Sequence, residues 1–293
     1  MSSVFTPLRY PGGKSSLAPL LSAVIKTNGL EGSVYAEPFA GGAGAGIKLL
    51  YAGVVSKIAL NDADPRILDF WLAVIGQPNK FLDRIANTPV TVNEWYKKKA
   101  IWKNPKQYNL LERGFATFFL NRVNRSGILE GNPIGGLNQD GPYLIDARFN
   151  RKNLIKRIKR MSEWRSLISF SGLDAIDFLS AVSAQPKPPF LYLDPPYVAK
   201  GRSLYLNAYQ HEHHEKLCNW LKSQDRLSWV LTYDDHPSIH KLYSWCRVER
   251  MNIRYSAQVK RQAVELLITP RRLYLPEDKP KPLRYAASAF VAV

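Results

Sequence analysis

The chain has 293 residues, 45% of them hydrophobic, and its 41 lysines and arginines outnumber 24 acidic residues to give a formal charge of +17. That length and apolar content support one large α/β domain with an insertion, or two domains, and no uninterrupted apolar run is long enough to span a bilayer. Two cysteines, Cys218 and Cys246, exclude a disulfide framework and lack metal-ligand spacing; the excess of positive charge points to a polyanion, DNA or RNA, because there is no basic amphipathic anchor or lipidation motif for a membrane surface.

In chain order, Met1–Pro7 lacks the basic and then apolar pattern of an export signal, so a reducing cytoplasm is expected. Val34–Glu37 reads as a strand, Pro38–Gly46 as a glycine-rich loop and Ile47–Ala52 as a helix; Lys57–Asn61 is a second strand that ends in Asp62 and Asp64. Glycines let the backbone approach a ligand, and an acidic strand end about 25 residues beyond Glu37 suits sugar hydroxyls, so the unit fits a nucleoside-bearing cofactor. From 67 to 166 the character changes. Asn121, Arg122, Asn124 and Arg125 follow an aromatic helix-like run. Asn138 and Gln139 precede an Asp140-Gly141 pair that fits a hairpin turn, and Arg148, Arg151 and Lys152 open a segment with Leu154, Ile155, Ile158 and Met161 at helical spacing. That helix presents an almost wholly basic face with no acidic partner between Arg148 and Met161, as expected of a surface that meets phosphates. Asn, Gln and Arg are the side chains that read base edges, and they are equally ordinary turn residues.

Strand-like and helix-like segments then alternate again: Leu167–Phe170 before Asp174, Phe190–Leu193, a helix from Glu212 to Lys222, Leu227–Tyr233, a helix from Pro237 to Trp245, and the apolar run Val264–Ile268. This predicts an α/β fold, Rossmann-like, with a mostly parallel twisted sheet. Residues 1–66 and 167–293 are expected to form the sheet-bearing domain, and 67–166 a largely helical insert with a hairpin. His211, His213 and His214 lie beside Glu212 and Glu215 and read as an exposed helix start, with no metal assigned.

Asp194-Pro195-Pro196-Tyr197 follows the Phe190–Leu193 strand, at the carboxyl end where open α/β sheets bind ligands. Two prolines remove two backbone donors, which leaves the Asp194 carboxylate and the Pro195 carbonyl as acceptors for an exocyclic amine. Tyr197 offers a face on which a base can stack, a contact worth roughly 1–3 kcal/mol.

Together these features resemble the α-type, or D12 class, DNA adenine-N6 methyltransferases, in which cofactor motif, recognition insert and catalytic tetrapeptide follow one another in that order. The resemblance runs through most of the chain: Arg9-Tyr10-Pro11-Gly12-Gly13-Lys14, Glu37-Pro38-Phe39-Ala40-Gly41-Gly42-Ala43-Gly44, Asn61-Asp62-Ala63-Asp64 and the tetrapeptide carry it. It implies S-adenosylmethionine as cofactor, with Tyr10 and Lys14 closing its pocket, Glu37, Phe39, Gly41, Gly42 and Gly44 at its methionine part, Asp62 at the ribose, Asp174 at the adenine, and Asp194 bordering it. It also implies a flipped adenine in double-stranded DNA held by Asp194, Pro195, Pro196 and Tyr197, with Asn121, Arg122, Asn124, Arg125, Asn138, Gln139, Arg148, Arg151 and Lys152 on the DNA. A cytosine-N4 enzyme or a catalytically silent DNA-binding relative are the alternatives, and a monomer or homodimer with a companion restriction endonuclease is compatible with either. Two departures stand out: Ala43 occupies the usual second glycine position, and Asn124-Arg125-Ser126-Gly127-Ile128 replaces a Phe-Asn-Gly sequence, so the GATC target is not carried over.

Overall fold

A computed structural model describes residues 6–9, 13–198, 210–255 and 261–277, without the side chains of 253–255 and 261–263. Tyr10, assigned above to the cofactor, lies outside the described residues. In chain order the elements are α1 (Ala18–Thr27), β1 (Val34–Glu37), α2 (Gly44–Tyr51), β2 (Lys57–Asn61), α3 (Pro65–Gly76), α4 (Pro78–Asn87), α5 (Val92–Lys103), α6 (Leu110–Val123) and α7 (Arg151–Glu163). There follow β3 (Ile168–Ser171), α8 (Ala175–Ser183), β4 (Phe190–Leu193), α9 (His211–Lys222), β5 (Trp229–Asp234), α10 (Pro237–Leu242), β6 (Arg247–Tyr255) and β7 (Arg261–Thr269). No helix among the described residues is long and apolar enough to cross a membrane.

The strands form a seven-stranded sheet in the order β3-β2-β1-β4-β5-β7-β6. β1 pairs in parallel with β2 and β4, and β4 with β5, whereas β7 runs antiparallel to both β5 and β6. The fold is therefore mixed α/β and Rossmann-like. All four residues of β4 are buried, which is why Phe-Leu-Tyr-Leu is a continuous apolar run and not an alternating one. The chain divides into two compact units, Lys14–Asn61 with Leu173–Val293, and Met1–Gly13 with Asp62–Gly172.

In the first of these units Leu191, Leu193, Trp229, Leu231, Leu266 and Ile268 from the strands pack with Leu217 and Leu221 from α9 and with Tyr243, just after α10. His214 joins this interior: it is buried, and its Nδ1 lies 2.7 Å from the Tyr233 hydroxyl. The expected exposed helix start thus holds for His211 and His213 but not for His214, because position 214 turns to the same face as Leu217, Cys218 and Leu221.

The other unit is helical apart from β3. Phe70, Phe81, Phe118 and Phe149 interlock, with ring centroids 5.4 Å apart for Phe81 and Phe118 and 5.8 Å for Phe118 and Phe149. Gly114 lets α6 close on α3, since a Cβ there would lie 2.5 Å from the Asp69 carbonyl oxygen, and Arg113 grips the Asp69 carboxylate with two hydrogen bonds of 2.7 and 2.8 Å. A reciprocal cap between Asn109 and Glu112 starts α6. α7 buries Leu154, Ile158 and Met161 and exposes Arg151, Lys152, Lys156, Lys159 and Arg160, as the sequence spacing requires.

The expected hairpin around Asp140-Gly141 is not formed. Residues 131–150 make a succession of turns whose one pairing is the isolated bridge between Asn124 and Pro133. Gly135, Gly136 and Gln139 all adopt positive φ, which curls the chain. The Gln139 amide then pins the curl, donating to the Ile134 carbonyl at 2.9 Å and to the Gly136 carbonyl, and accepting from the Ile145 amide at 2.8 Å. A side chain takes up the backbone groups that a ladder would have paired.

Candidate active site

At the carboxyl edge of the sheet β1 ends in Glu37, β4 leads into Asp194, and β5 ends in Asp234. Because β7 is reversed, its early residues lie at this same edge, and the register sets Glu265 directly opposite Asp234. Parallel strands gather their ends here, and one antiparallel strand adds a carboxylate from elsewhere in the sequence.

Lys14, in a single 3-10 turn, sends its ammonium to this edge. It lies 2.8 Å from Asp194 Oδ2, donates to the Tyr197 hydroxyl oxygen at 2.7 Å, and sits 3.7 Å from Glu265 Oε2. The second Asp194 oxygen accepts from the Thr232 hydroxyl at 2.8 Å; with that proton committed, the Tyr192 hydroxyl, 3.0 Å away, is the donor to Thr232. Tyr197 donates its own hydroxyl to Glu265 Oε1 and turns its ring to Lys14, whose nitrogen is 5.1 Å from the ring centroid. The Val198 amide, next in the chain, is tied to Asp234 Oδ1 at 3.1 Å. The tetrapeptide is therefore fixed by side chains from β5, β7 and the Lys14 turn. The prolines do spare Asp194 from its neighbours' amides, yet its oxygens are not left waiting: tertiary donors occupy one position on each.

One ammonium here faces two carboxylates. Glu265 is almost wholly buried, with 1% of its surface exposed, and burial, reinforced by Asp194 and opposed by Lys14, pushes its carboxyl up to about 7. The Tyr197 phenol is held well above its ordinary range by burial and by Asp194 and Glu265, so it remains a neutral donor. The Tyr192 and Tyr35 phenols are raised in the same way, chiefly by burial.

The glycine loop lies between β1 and α2. Glu37 is buried and accepts from the Tyr35 hydroxyl at 3.0 Å. Gly41 and Ala43 both have positive φ, 45° and 47°. A Cβ at Gly44 would fall 2.0 Å from the Ser15 hydroxyl oxygen, and one at Gly46 would fall 2.8 Å from the Tyr35 ring, so neither position has room for a larger residue. Gly42 is buried beside them, and Phe39 is half-buried. Asn61, fully buried, fastens this loop: its amide donates to the Pro38 and Leu173 carbonyls at 3.2 and 3.0 Å and accepts from the Leu173 amide at 2.8 Å. It thereby sets the turn that carries Asp174, whose carboxylate caps α8 through the Ile176 amide at 2.9 Å. In the helical unit Asp62 accepts from the Asp64 amide at 3.0 Å, and Asp64 caps α3.

The residues assigned to DNA divide into two sets. Asn121 and Asn124 are buried. Asn121 accepts from the Arg9 amide at 2.7 Å and donates to the Arg9 and Gly127 carbonyls. Asn124 accepts from the Trp95 indole at 2.7 Å and donates to the Ile128 and Leu129 carbonyls. Both amides are consumed by backbone and indole, as is that of Gln139, so none of the three is free to read a base. The Arg122 guanidinium donates to the Arg148 carbonyl, and burial together with Arg9, Arg157 and Arg148 lowers its pKa to about 9. Arg151 donates to the Ile85 and Thr88 carbonyls. Arg125, Asn138, Arg148 and Lys152 are exposed.

Sequence reasoning missed Glu265, Thr232 and the clamping role of Asn61. The signal for Glu265 was present: a lone carboxylate in the otherwise apolar run Val264–Ile268.

A mostly parallel sheet with one reversed strand, a glycine loop after β1 and an acidic tetrapeptide after β4 define a Rossmann-like methyltransferase. The chain belongs to the D12 class of N6 adenine-specific DNA methyltransferases, which it matches over residues 10–257. Enzymes of this family take their methyl group from S-adenosylmethionine. The chain is similar to the Type II methyltransferase M1.LlaDCHI of Lactococcus lactis subsp. cremoris, 22% identical over 220 residues that cover 70% of this chain and 69% of the relative. Among solved structures it is similar to the rRNA methyltransferase AviRa of Streptomyces viridochromogenes, with 16% identity, a TM-score of 0.43 and coverage of 89% and 86% of the two chains. It is also similar to a putative RNA methyltransferase of Pyrococcus horikoshii, with 11% identity, a TM-score of 0.40 and coverage of 92% and 89%.

Proposed function

We propose that this protein methylates N6 of an adenine flipped out of duplex DNA, at a specific target site, with S-adenosylmethionine held by the loop from Glu37 to Gly46 and by Asp174. Two features of the loop suit that cofactor. Gly44 and Gly46 let the start of α2 pack directly on Ser15 and Tyr35, which fixes the backbone of the loop, and Glu37 offers a buried carboxylate of the kind that meets an amino group. Bound there, the cofactor supplies an activated methyl group on a cationic sulfur.

The protein's part is to place and prepare the nitrogen. Asp194, fixed from behind by Lys14 and Thr232, accepts from the N6 protons and draws the lone pair out of conjugation with the ring. A methylated N6 would carry one proton in excess, and the Asp194 carboxylate would be the group to accept it. The Tyr197 ring, immobilised through its hydroxyl, gives the base a stacking surface that offsets the few kcal/mol of unstacking. Phosphates are met by the exposed basic face of α7 and by Arg125 and Arg148, and Asn138 lies on the exposed part of the adjoining loop. A cytoplasmic location and a monomeric or homodimeric state are part of this reading, and the relative's Type II designation adds a companion restriction endonuclease to it.

The observation that carries this reading is the anchoring of Asp194 on both oxygens at the carboxyl edge of the sheet. Asp194→Ala is expected to lower methyl incorporation into duplex DNA by at least about a thousandfold while S-adenosylmethionine affinity changes less than about fivefold. Wild-type turnover in that variant would refute the role.

A further inference from the structure

The Glu265 carboxylate takes no part in the chemistry just described, yet two distant parts of the chain reach it. Its Oε1 accepts the Tyr197 hydroxyl, its Oε2 lies 3.7 Å from the Lys14 ammonium, and Oε2 has no hydrogen-bond donor among the described residues. A carboxylate with 1% exposure and an unsatisfied oxygen costs stability, and an apolar residue would suit a strand of this burial better. What the carboxylate does supply is a second negative charge opposite Lys14 and a fixed acceptor for Tyr197.

Resting on the adenine-methylation reading, we infer that Glu265 is a positioning residue: in its ionised form it orients the Tyr197 ring and draws on the Lys14 ammonium, and through them sets the Asp194 carboxylate that receives N6. Lys14 is shared between Asp194 and Glu265, so the charge on Glu265 governs how tightly Lys14 holds Asp194. Tyr197 accepts from Lys14 and donates to Glu265, which leaves its ring one orientation. Protonation of Glu265 removes the acceptor charge from Tyr197 and gives Lys14 wholly to Asp194.

The groups facing Glu265 are Lys14 from its turn, Asp194 and Tyr197 from the segment after β4, and Asp234 across the β5 pairing. On the β6 side its register partner is the uncharged Met251, and the adjacent Arg250 is engaged by Asp235 at 2.8 Å. Lys14 and Tyr197 favour the ionised form; burial, Asp194 and Asp234 oppose it. The sign follows. Above about pH 7 Glu265 is ionised and the cluster is set, and turnover falls as pH drops through that value.

The test uses the full chain with duplex DNA, measuring single-turnover methyl transfer from pH 5.5 to 9 alongside thermal unfolding. In Glu265→Gln, which keeps the shape and an oxygen acceptor, kcat is expected to fall roughly 10- to 100-fold at pH 8 with KM for S-adenosylmethionine within about threefold, and the loss of rate below pH 7 to disappear. The melting temperature at pH 8 should hold or rise, since a buried charge is removed; a carboxylate of merely structural value would show the reverse, a lower melting temperature with kcat intact. A kcat within about threefold of wild type, or an acidic limb unchanged in Glu265→Gln, overturns the inference. Should that variant not fold, Tyr197→Phe decides: loss of the phenol donor must move the limb to higher pH, and an unmoved limb overturns the proposal. A wild-type protein that incorporates no methyl group would instead sink the reading beneath it.

Discussion

Lys14, Asp194, Tyr197, Thr232 and Glu265 meet at the carboxyl edge of the sheet, where side chains from distant parts of the chain fix one another by hydrogen bonds. In the helical unit buried amides hold the backbone, Asp69 and Glu94 pair with Arg113 and Lys98, and among the described residues no ion pair engages the exposed Lys152, Lys156 or Lys159. The difference teaches how chemistry and charge distribute. A site that orients one lone pair needs side chains fixed within a fraction of an ångström, whereas a surface that neutralises phosphates gains from each added charge and tolerates the loss of any one.

The most damaging way to probe that contrast is to cut a buried amide in the helical unit. Asn124→Ala leaves the Trp95 indole and two carbonyls unpaired in the interior, and is expected to cost about 3 kcal/mol in denaturant unfolding while turnover per folded molecule stays near wild type. A stable Asn124→Ala that has lost target recognition would return the residue to the DNA interface.

His214 makes the comparison pH-dependent on the other side. Burial lowers its pKa to about 4, below the ordinary value of 6.5. The unfolded chain therefore takes up the proton first, and stability falls as pH drops from about 6.5 towards 4, by roughly 3 kcal/mol in all. Thermal melts across that range should show the slope, and His214→Gln should flatten it.

Smaller effects are expected on the basic face. Replacing Lys152, Lys156 and Lys159 together by Gln should weaken duplex binding about tenfold at moderate salt, reduce the slope of log affinity against log salt by up to about 2.7, and leave S-adenosylmethionine affinity untouched. Equal loss from a single lysine would show that the face contains a specific contact. The smallest change is Ala43→Gly. Ala43 holds φ 47°, a left-handed conformation costing roughly 1 kcal/mol with a Cβ, so glycine should be neutral or stabilising by less than about 1 kcal/mol in chemical denaturation.

Local patterns carried far in this chain. The β1, glycine loop, α2 and β2 succession, the buried β4 before Asp194, and the apolar stripe of α7 all follow from runs and spacings within a dozen residues. Gln139 shows where that reading stops. An amide next to Asp140-Gly141 has the same composition whether it reads a base, turns a hairpin or pins a curled loop, and only the positions of Ile134, Gly136 and Ile145 choose among these. Asn121 and Asn124 were ambiguous for the same reason, because amides that suit base edges also suit buried carbonyls.

The amino-acid order by itself determined the α/β succession, the family's motifs and the identity of the acidic tetrapeptide, since each depends on neighbours along the chain. Tertiary structure alone decided what stands behind Asp194. Lys14 comes from 180 residues before it, and Glu265 arrives because β7 runs backwards beside β5 and sets its one carboxylate against Asp234. Register and burial are properties of paired strands, and no single strand contains them.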